Sequence, residues 1–193
     1  REIDKNDLLN NLIYIIRENK FTPKLIIDVG ANHGTWSRVW KTAFPECAFI
    51  LIEPQYWLKS SFEDMLDDKT TYLPIGAGKT DAQLTFTVNA HRDDSSTFTL
   101  KAEEAEAMGF QQISVPVKSI NCIVRENGRQ IPDIVKVDAE GIDIEVLEGS
   151  NELWGKTEIF LVEASINAHY KHTDILKVIS FMDMAGYRVF DIT

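Results

Sequence analysis

The stretch that most constrains the fold is Lys24-Leu25-Ile26-Ile27-Asp28-Val29-Gly30-Ala31-Asn32-His33-Gly34-Thr35-Trp36-Ser37. Its first half is a short apolar run closed by an acid, the pattern of a strand buried on both faces in a parallel sheet. Its second half is a glycine-punctuated turn that enters a helix near Thr35. In open α/β sheets ligands bind outside the carboxyl ends of the strands, so this turn is a candidate floor for a site. Gly30 and Gly34 are the positions where backbone can approach a ligand or adopt positive φ at little cost. The alternative is an ordinary strand–turn–helix whose glycines only make the turn.

The residues in the turn narrow the ligand. A dinucleotide fingerprint needs glycine at 30, 32 and 35, but positions 32 and 35 are Asn and Thr. The full phosphate-loop pattern, a glycine followed five residues later by Gly-Lys-Ser/Thr, is not present. Asp28 would also repel a pyrophosphate. An acid here suits a cationic ligand with hydroxyl and amine donors, a description that S-adenosylmethionine (SAM), with its sulfonium and ammonium, fits. A nicotinamide-dependent oxidoreductase and a non-catalytic SAM-binding module are the competing readings.

A chain of 193 residues can build one domain with a substantial core. The formal charge of −10 argues against a nucleic-acid partner, which needs clustered Lys and Arg. Cys47 and Cys122 are too few for a disulfide framework or a zinc ribbon. No apolar run reaches transmembrane length, and no signal peptide is visible. These features predict a reduced, cytoplasmic enzyme acting on a small molecule, with no membrane partner.

Strands and helices alternate along the chain. Helical spacing predicts a helix over Asp4–Asn19 with Asp4 as N-cap, covering one flank of the sheet. Further helices are predicted at Thr35–Ala43, Gln55–Leu66, Lys101–Met108, Ser119–Asn127, Gly141–Glu148 and Asp174–Ala185. Core strands are predicted at Ala48–Glu53, Tyr72–Ile75, Asp133–Val137 and Glu158–Val162, with a last strand at Tyr187–Asp191. Gln83–Val88 and Ile113–Val117 read as strands of a polar insertion, residues 79–118, that reaches over the site. The expectation is a single α/β domain, a three-layer sandwich on a mostly parallel sheet.

Four acids should project from one edge of that sheet: Asp28, Glu53, Asp138 and Glu163. Glu53 ends the second strand about 20 residues past the glycine turn, where such folds place the acid that grips a ribose. Its alternative role is to start the helix after Pro54. Val135-Lys136-Val137-Asp138-Ala139-Glu140-Gly141 sets three ionisable groups in or beside a dry central strand. Buried charges are rare unless paired. Lys136 is therefore read as the ion-pair partner of an acid, whereas Asp138 and Glu140 are read as site residues. Mutual repulsion in a ring of carboxylates raises some of their pKa values and suits a general base. The same ring could hold Mg²⁺, although no tight acid cluster specifies it, and no metal is predicted. His91, Ser95 and Ser96 in the insertion, and His169 after the fifth strand, are candidate acceptor contacts. Scattered loop residues of this kind are more often plain surface.

Together these stretches resemble the FkbM-type family of SAM-dependent methyltransferases. The resemblance rests on Asp28-Val29-Gly30-Ala31-Asn32-His33-Gly34-Thr35, Ile52-Glu53-Pro54, Ser95-Ser96, Val135–Gly141, Glu145-Val146-Leu147-Glu148-Gly149 and Leu161-Val162-Glu163. The Lys-Val-Asp-Ala-Glu-Gly string makes the match specific. It implies a seven-stranded, Rossmann-like SAM-binding sheet and O-methylation of a hydroxyl on a small metabolite or sugar. On this reading Asp28, Gly30, Ala31, Asn32, Gly34, Glu53, Gly76, Ala77 and Asp138 surround the cofactor. Asp138 and Glu140 act on the acceptor. The sequence ends at Thr193, just where an antiparallel closing strand is expected.

Overall fold

The computed structural model describes residues 8–92, 96–128, 130–166 and 174–192. Five parallel strands form the central sheet: β1 (Leu25–Val29), β2 (Ala48–Ile52), β3 (Thr70–Leu73), β7 (Ile134–Val137) and β8 (Ile159–Val162), in the order β3-β2-β1-β7-β8. The chain runs outward from β1 through β2 to β3, then returns to the other side of β1 with β7. The order therefore reverses between β1 and β7, and a crevice opens there at the strands' carboxyl ends.

Side chains alternate across a strand, and here both faces are apolar. Ile27, Val29, Ile52, Val135 and Val137 pack with α4 (Ile120–Glu126), α5 (Asp143–Glu148) and α6 (Ile175–Met184). Ile26, Phe49, Leu51 and Ile134 pack on the opposite face with α1 (Leu8–Glu18) and α2 (Thr35–Ala43). This is why β1 reads as an unbroken apolar run, interrupted only by Asp28. The acid sits on the second face, opposite Lys136 in the β1–β7 register.

A second sheet, β4 (Gly76–Ala77), β6 (Gln111–Lys118) and β5 (Ala82–Val88), follows β3 in the chain and has α3 (Ala102–Ala107) between its two longer strands. The antiparallel β5–β6 ribbon pairs Leu84 with Val115 and Phe86 with Ile113. Phe86, Val115 and Val117 form a small core of their own.

Three expectations are corrected. Residues Tyr56–Met65 form a 3₁₀ segment broken at Phe62 rather than an α-helix. Phe62 is fully buried against Tyr72, and that packing sets the backbone there. The third strand begins at Thr70 rather than Tyr72, since Thr70 and Thr71 pair with Phe49 and Ile50. Tyr187–Asp191 is not a strand: Tyr187 donates its hydroxyl to the Thr157 carbonyl, and the residues after it are exposed and pair with no strand. No closing antiparallel strand lies on the five-stranded sheet among the described residues. Asp4, the expected cap of the first helix, falls outside those residues. No helix among them is long and apolar enough to cross a membrane.

Candidate functional site

The turn after β1 is built to bring two strand ends together. Gly30 has φ +72°, and a Cβ there would sit 1.9 Å from the Asp138 carbonyl oxygen, so only glycine lets β7's exit cross so close. The Gly30 and Ala31 amides donate to the Ile52 carbonyl at 3.0 Å each, tying the turn to β2. Gly34 then enters α2 with φ +72° and faces Phe62 and Met65.

Above these strand ends lies a cleft of about 280 Å³, lined by Gly30, Asn32, Glu53, Pro54, Gln55, Gly76, Ala77, Phe86, Ser96, Phe98, Asp138, Ala139, Glu140 and Glu163, with Val29 and Ile52 beneath. It is at the small end of ligand sites, which run roughly 300–1,000 Å³. Its lining carries four carboxyl side chains and no Lys or Arg. Such a surface favours a ligand with positive charge and hydroxyl donors, and opposes a pyrophosphate.

Glu53 is almost wholly buried. Its Oε2 accepts from the Asn32 amide (2.8 Å), and its Oε1 from the Gln55 amide (2.9 Å) and side-chain nitrogen (3.3 Å). Burial pushes its pKa up, the backbone amides of Gln55 and Asn32 pull it down, and the net direction is upward. Three of a carboxylate's roughly four acceptor sites are thus used within the chain. Glu53 keeps room for one ligand hydroxyl, and for two only if the Gln55 side chain turns away. That is tighter than the free bidentate acceptor expected from sequence.

The second wall follows β7. Glu140 (φ +51°) and Gly141 (φ +110°) make a left-handed bend. Asp143, buried at the start of α5, holds it by accepting from the Ala139 amide (2.7 Å) and the Gly141 amide (3.3 Å). Thr97 of the insertion donates its hydroxyl to the Glu140 carbonyl at 2.6 Å. The bend brings carboxylate oxygens of Asp138, Glu140 and Glu163 within 4.8 Å of one another. This trio is closer than the sequence suggested. Glu163 is pushed up to about 8, chiefly by its hydrogen bond with Asp138, then by burial and the charges of Asp138, Glu140 and Asp143. The hydrogen bond between Glu163 and Asp138 accounts for the close approach.

Lys136 lies beneath this trio, its side chain 12% exposed, with Nζ 3.1 Å from both Asp28 Oδ1 and Asp138 Oδ2. The ion pairing read from the sequence is present, with two acids rather than one. Asp28 is fully buried and also accepts from the Ser37 hydroxyl at 2.6 Å. It lies behind the cleft wall rather than in its lining, which corrects its place in the ring of ligand-facing acids. Burial works against the Lys136 charge, but Asp28 and Asp138 outweigh it and hold the ammonium above its usual range.

The other expected residues divide. Gly30, Asn32, Glu53, Gly76, Ala77, Ser96, Asp138, Glu140 and Glu163 line the cleft. Ala31 and Gly34 are buried in the turn beside it, and His91 is exposed on the insertion away from it. Ser95 and His169 lie outside the described residues. Ser96 is buried and joins the walls, donating to Gln55 Oε1 at 3.2 Å and accepting from the Asn89 amide. Sequence reasoning missed Gln55, Phe86 and Phe98. The two rings pack 4.7 Å apart, and Phe98 lies against Gly76, where a Cβ would meet its ring at 2.8 Å. The alternation of Gln83–Val88 pointed Phe86 inward, but nothing local marked Phe98.

A parallel sheet with this strand order, and an acidic, glycine-floored cleft at its switch point, defines a Rossmann-like methyltransferase fold. The methyltransferase FkbM domain matches residues 28–189, and the chain belongs to this family of SAM-dependent methyltransferases. Its cofactor is S-adenosylmethionine, and the acidic lining without Lys or Arg fits that cation. Among solved structures, a precorrin-6y C5,15-methyltransferase from Geobacter metallireducens is 11% identical with a TM-score of 0.50, over 92% of this chain and 71% of that one. The pyocyanin biosynthetic protein PhzM is 13% identical, with a TM-score of 0.44 over 94% of this chain and 49% of its own. The plantazolicin methyltransferase BpumL, solved with S-adenosylhomocysteine (SAH) and a pentazolic desmethylPZN analog, is 12% identical with a TM-score of 0.33, over 78% and 42%. The chain spans about half the length of PhzM and less than half that of BpumL. No curated protein matches it.

Proposed function

We propose that the protein methylates a hydroxyl oxygen of a small acceptor, a metabolite or sugar, bound over Asp138, Glu140 and Glu163. The observation that carries this reading is the meeting of that carboxyl trio with the Gly30–Glu53 end of one cleft. SAM, when bound, would supply an electrophilic methyl group, the sulfur–methyl bond breaking to leave SAH as the O–C bond forms. On the cofactor side, Glu53 takes a ribose hydroxyl, the backbone of the Gly30–Gly34 turn lies along the methionine part, and Phe98 with Gly76 and Ala77 borders the base. On the acceptor side, an Asp138 carboxylate oxygen accepts the hydroxyl proton as the new O–C bond forms. Glu140 and Glu163 hold neighbouring hydroxyls, and Ser96 closes the wall beneath the insertion.

Alignment supplies most of the rate here, since reacting atoms held roughly 3–3.5 Å apart need little base strength. The test is a screen of hydroxylated metabolites and sugars with labelled SAM, following SAH release and a methyl-shifted product by mass spectrometry. Asp138→Asn should cut turnover by about 10²–10⁴-fold, the usual worth of a general base, while SAM affinity changes little. Turnover at the wild-type rate would remove Asp138 from the reaction. Methylation confined to amine acceptors would refute the O-transfer reading.

A further inference from the structure

We propose that Lys136 is a positioning residue for the transfer, its ammonium locking the Asp138 carboxylate in register with the Gly30 turn. The proposal rests on the reading of Asp138 as proton acceptor. Ion pairing with Asp28 alone would explain a buried lysine, yet the geometry goes further. Nζ lies 3.1 Å from Asp28 Oδ1, 3.1 Å from Asp138 Oδ2 and 3.1 Å from the Gly30 carbonyl oxygen, with the Val29 carbonyl at 3.5 Å. The Trp36 ring of α2 covers it, with Nζ 5.9 Å from the ring centroid. An ammonium has three donors. Here the ammonium donates to the Gly30 carbonyl at the floor of the cofactor turn and at the same time ion-pairs with the acid of β1 and the acid beyond β7.

The register explains why this residue can do so. Asp28 and Lys136 are direct cross-strand partners, and Asp138 follows two residues later on the same face. Gly30 is two residues past Asp28 on β1's side. One cation in the dry seam between the central strands thus joins the backbone beside the cofactor to the carboxylate beside the acceptor. The groups facing Asp138 in turn are Lys136 below, Glu163 from β8 and Glu140 from the following bend. Lys136 is the one cation among them. It offsets repulsion within the acidic trio and holds the Asp138 carboxylate in place beside the cleft.

Replacing Lys136 alone would strand Asp28, so the informative variant is the double substitution Asp28→Asn/Lys136→Met, which removes both buried charges. The wild-type chain, this variant and Asp28→Asn are titrated with ¹³C-carboxyl-labelled Asp and Glu by NMR, and each is titrated with SAM by calorimetry. In the wild type, the Glu163 carboxyl hydrogen-bonded to Asp138 is pushed up to about 8. With Lys136 positioning Asp138, the double variant moves it upward by about one unit or more, the usual effect of losing an adjacent opposite charge. SAM affinity falls about tenfold as the Gly30 turn loses its tie, the equivalent of one such unit. Asp28→Asn alone, which leaves the ammonium to Asp138, moves the proton loss downward. A double variant that titrates and binds SAM like the wild type would overturn the proposal and leave Lys136 as the counter-ion of Asp28. Neither readout needs an acceptor. Failure of Asp138 as proton acceptor would show separately, as undiminished turnover in Asp138→Asn.

Discussion

Gly30→Ala tests how closely the fold and the site are joined. Two costs add at this position. The first is the left-handed backbone, φ +72°, which penalises an L side chain by roughly 1–2 kcal/mol. The second is overlap. The new Cβ would lie 1.9 Å from the Asp138 carbonyl oxygen, so the two strand exits must part by about 1.1 Å to reach even 3.0 Å. Both atoms belong to backbone at the ends of central strands, and neither can swing aside. Forcing extra volume into such packing costs typically 1–3 kcal/mol, giving a total of about 2–5 kcal/mol. Gly128→Ala is the control, since Gly128 has φ +80° but nothing within 4 Å of its Cβ position. Urea unfolding followed by circular dichroism should place Gly30→Ala at least ~1 kcal/mol below the control, in keeping with the overlap term. Calorimetry should show its SAM affinity reduced as well. If the two variants were equally stable, the close crossing of the Gly30 turn and the β7 exit would be refuted.

Other outcomes follow from the same geometry. Glu53→Ala removes the acceptor of the Asn32 and Gln55 amides as well as a ribose contact, and should weaken SAM binding by about 10–100-fold in calorimetry, in line with a charged hydrogen bond of about 1.5–3 kcal/mol. Glu163 carries a folded-state pKa of about 8, above that of an ordinary carboxyl. Its stabilising contribution is therefore full below the unfolded pKa and is lost as pH rises through the folded value. Thermal melts should show Glu163→Gln, which keeps the neutral form, gaining steadily on the wild type from about pH 4.5 to about 8 and holding that gain above it, with no difference near pH 4. Thr97→Val removes the hydroxyl that clamps the Glu140 carbonyl and should destabilise the chain by about 1 kcal/mol in urea unfolding.

The sheet was legible in the sequence because β1, β2, β7 and β8 are short, apolar and covered on at least one face by helices, so burial alone writes their pattern. The acids at their ends were legible for the same reason, as charges standing at the edge of apolar runs. Which acids face the cleft was not legible. Asp28 and Asp138 read alike in sequence and both pair with Lys136, yet the fold buries one against Ser37 and sets the other in the cavity lining. The 3₁₀ segment escaped notice because its break at Phe62 answers to Tyr72, a contact formed across the fold. Phe98 and Gln55 were missed because their roles come from partners about 20 to 40 residues away, Gly76 and Ser96. Tyr187–Asp191 has strand-like composition, but a strand needs a neighbour, and β8 gives it none.

The most direct measurement is a crystal structure of the protein grown with SAH. The sulfur should lie between the Gly30 turn and Asp138, with a ribose hydroxyl on Glu53 and the base beside Phe98. SAH found outside the cleft, or with its ribose held by residues other than Glu53, would contradict the account.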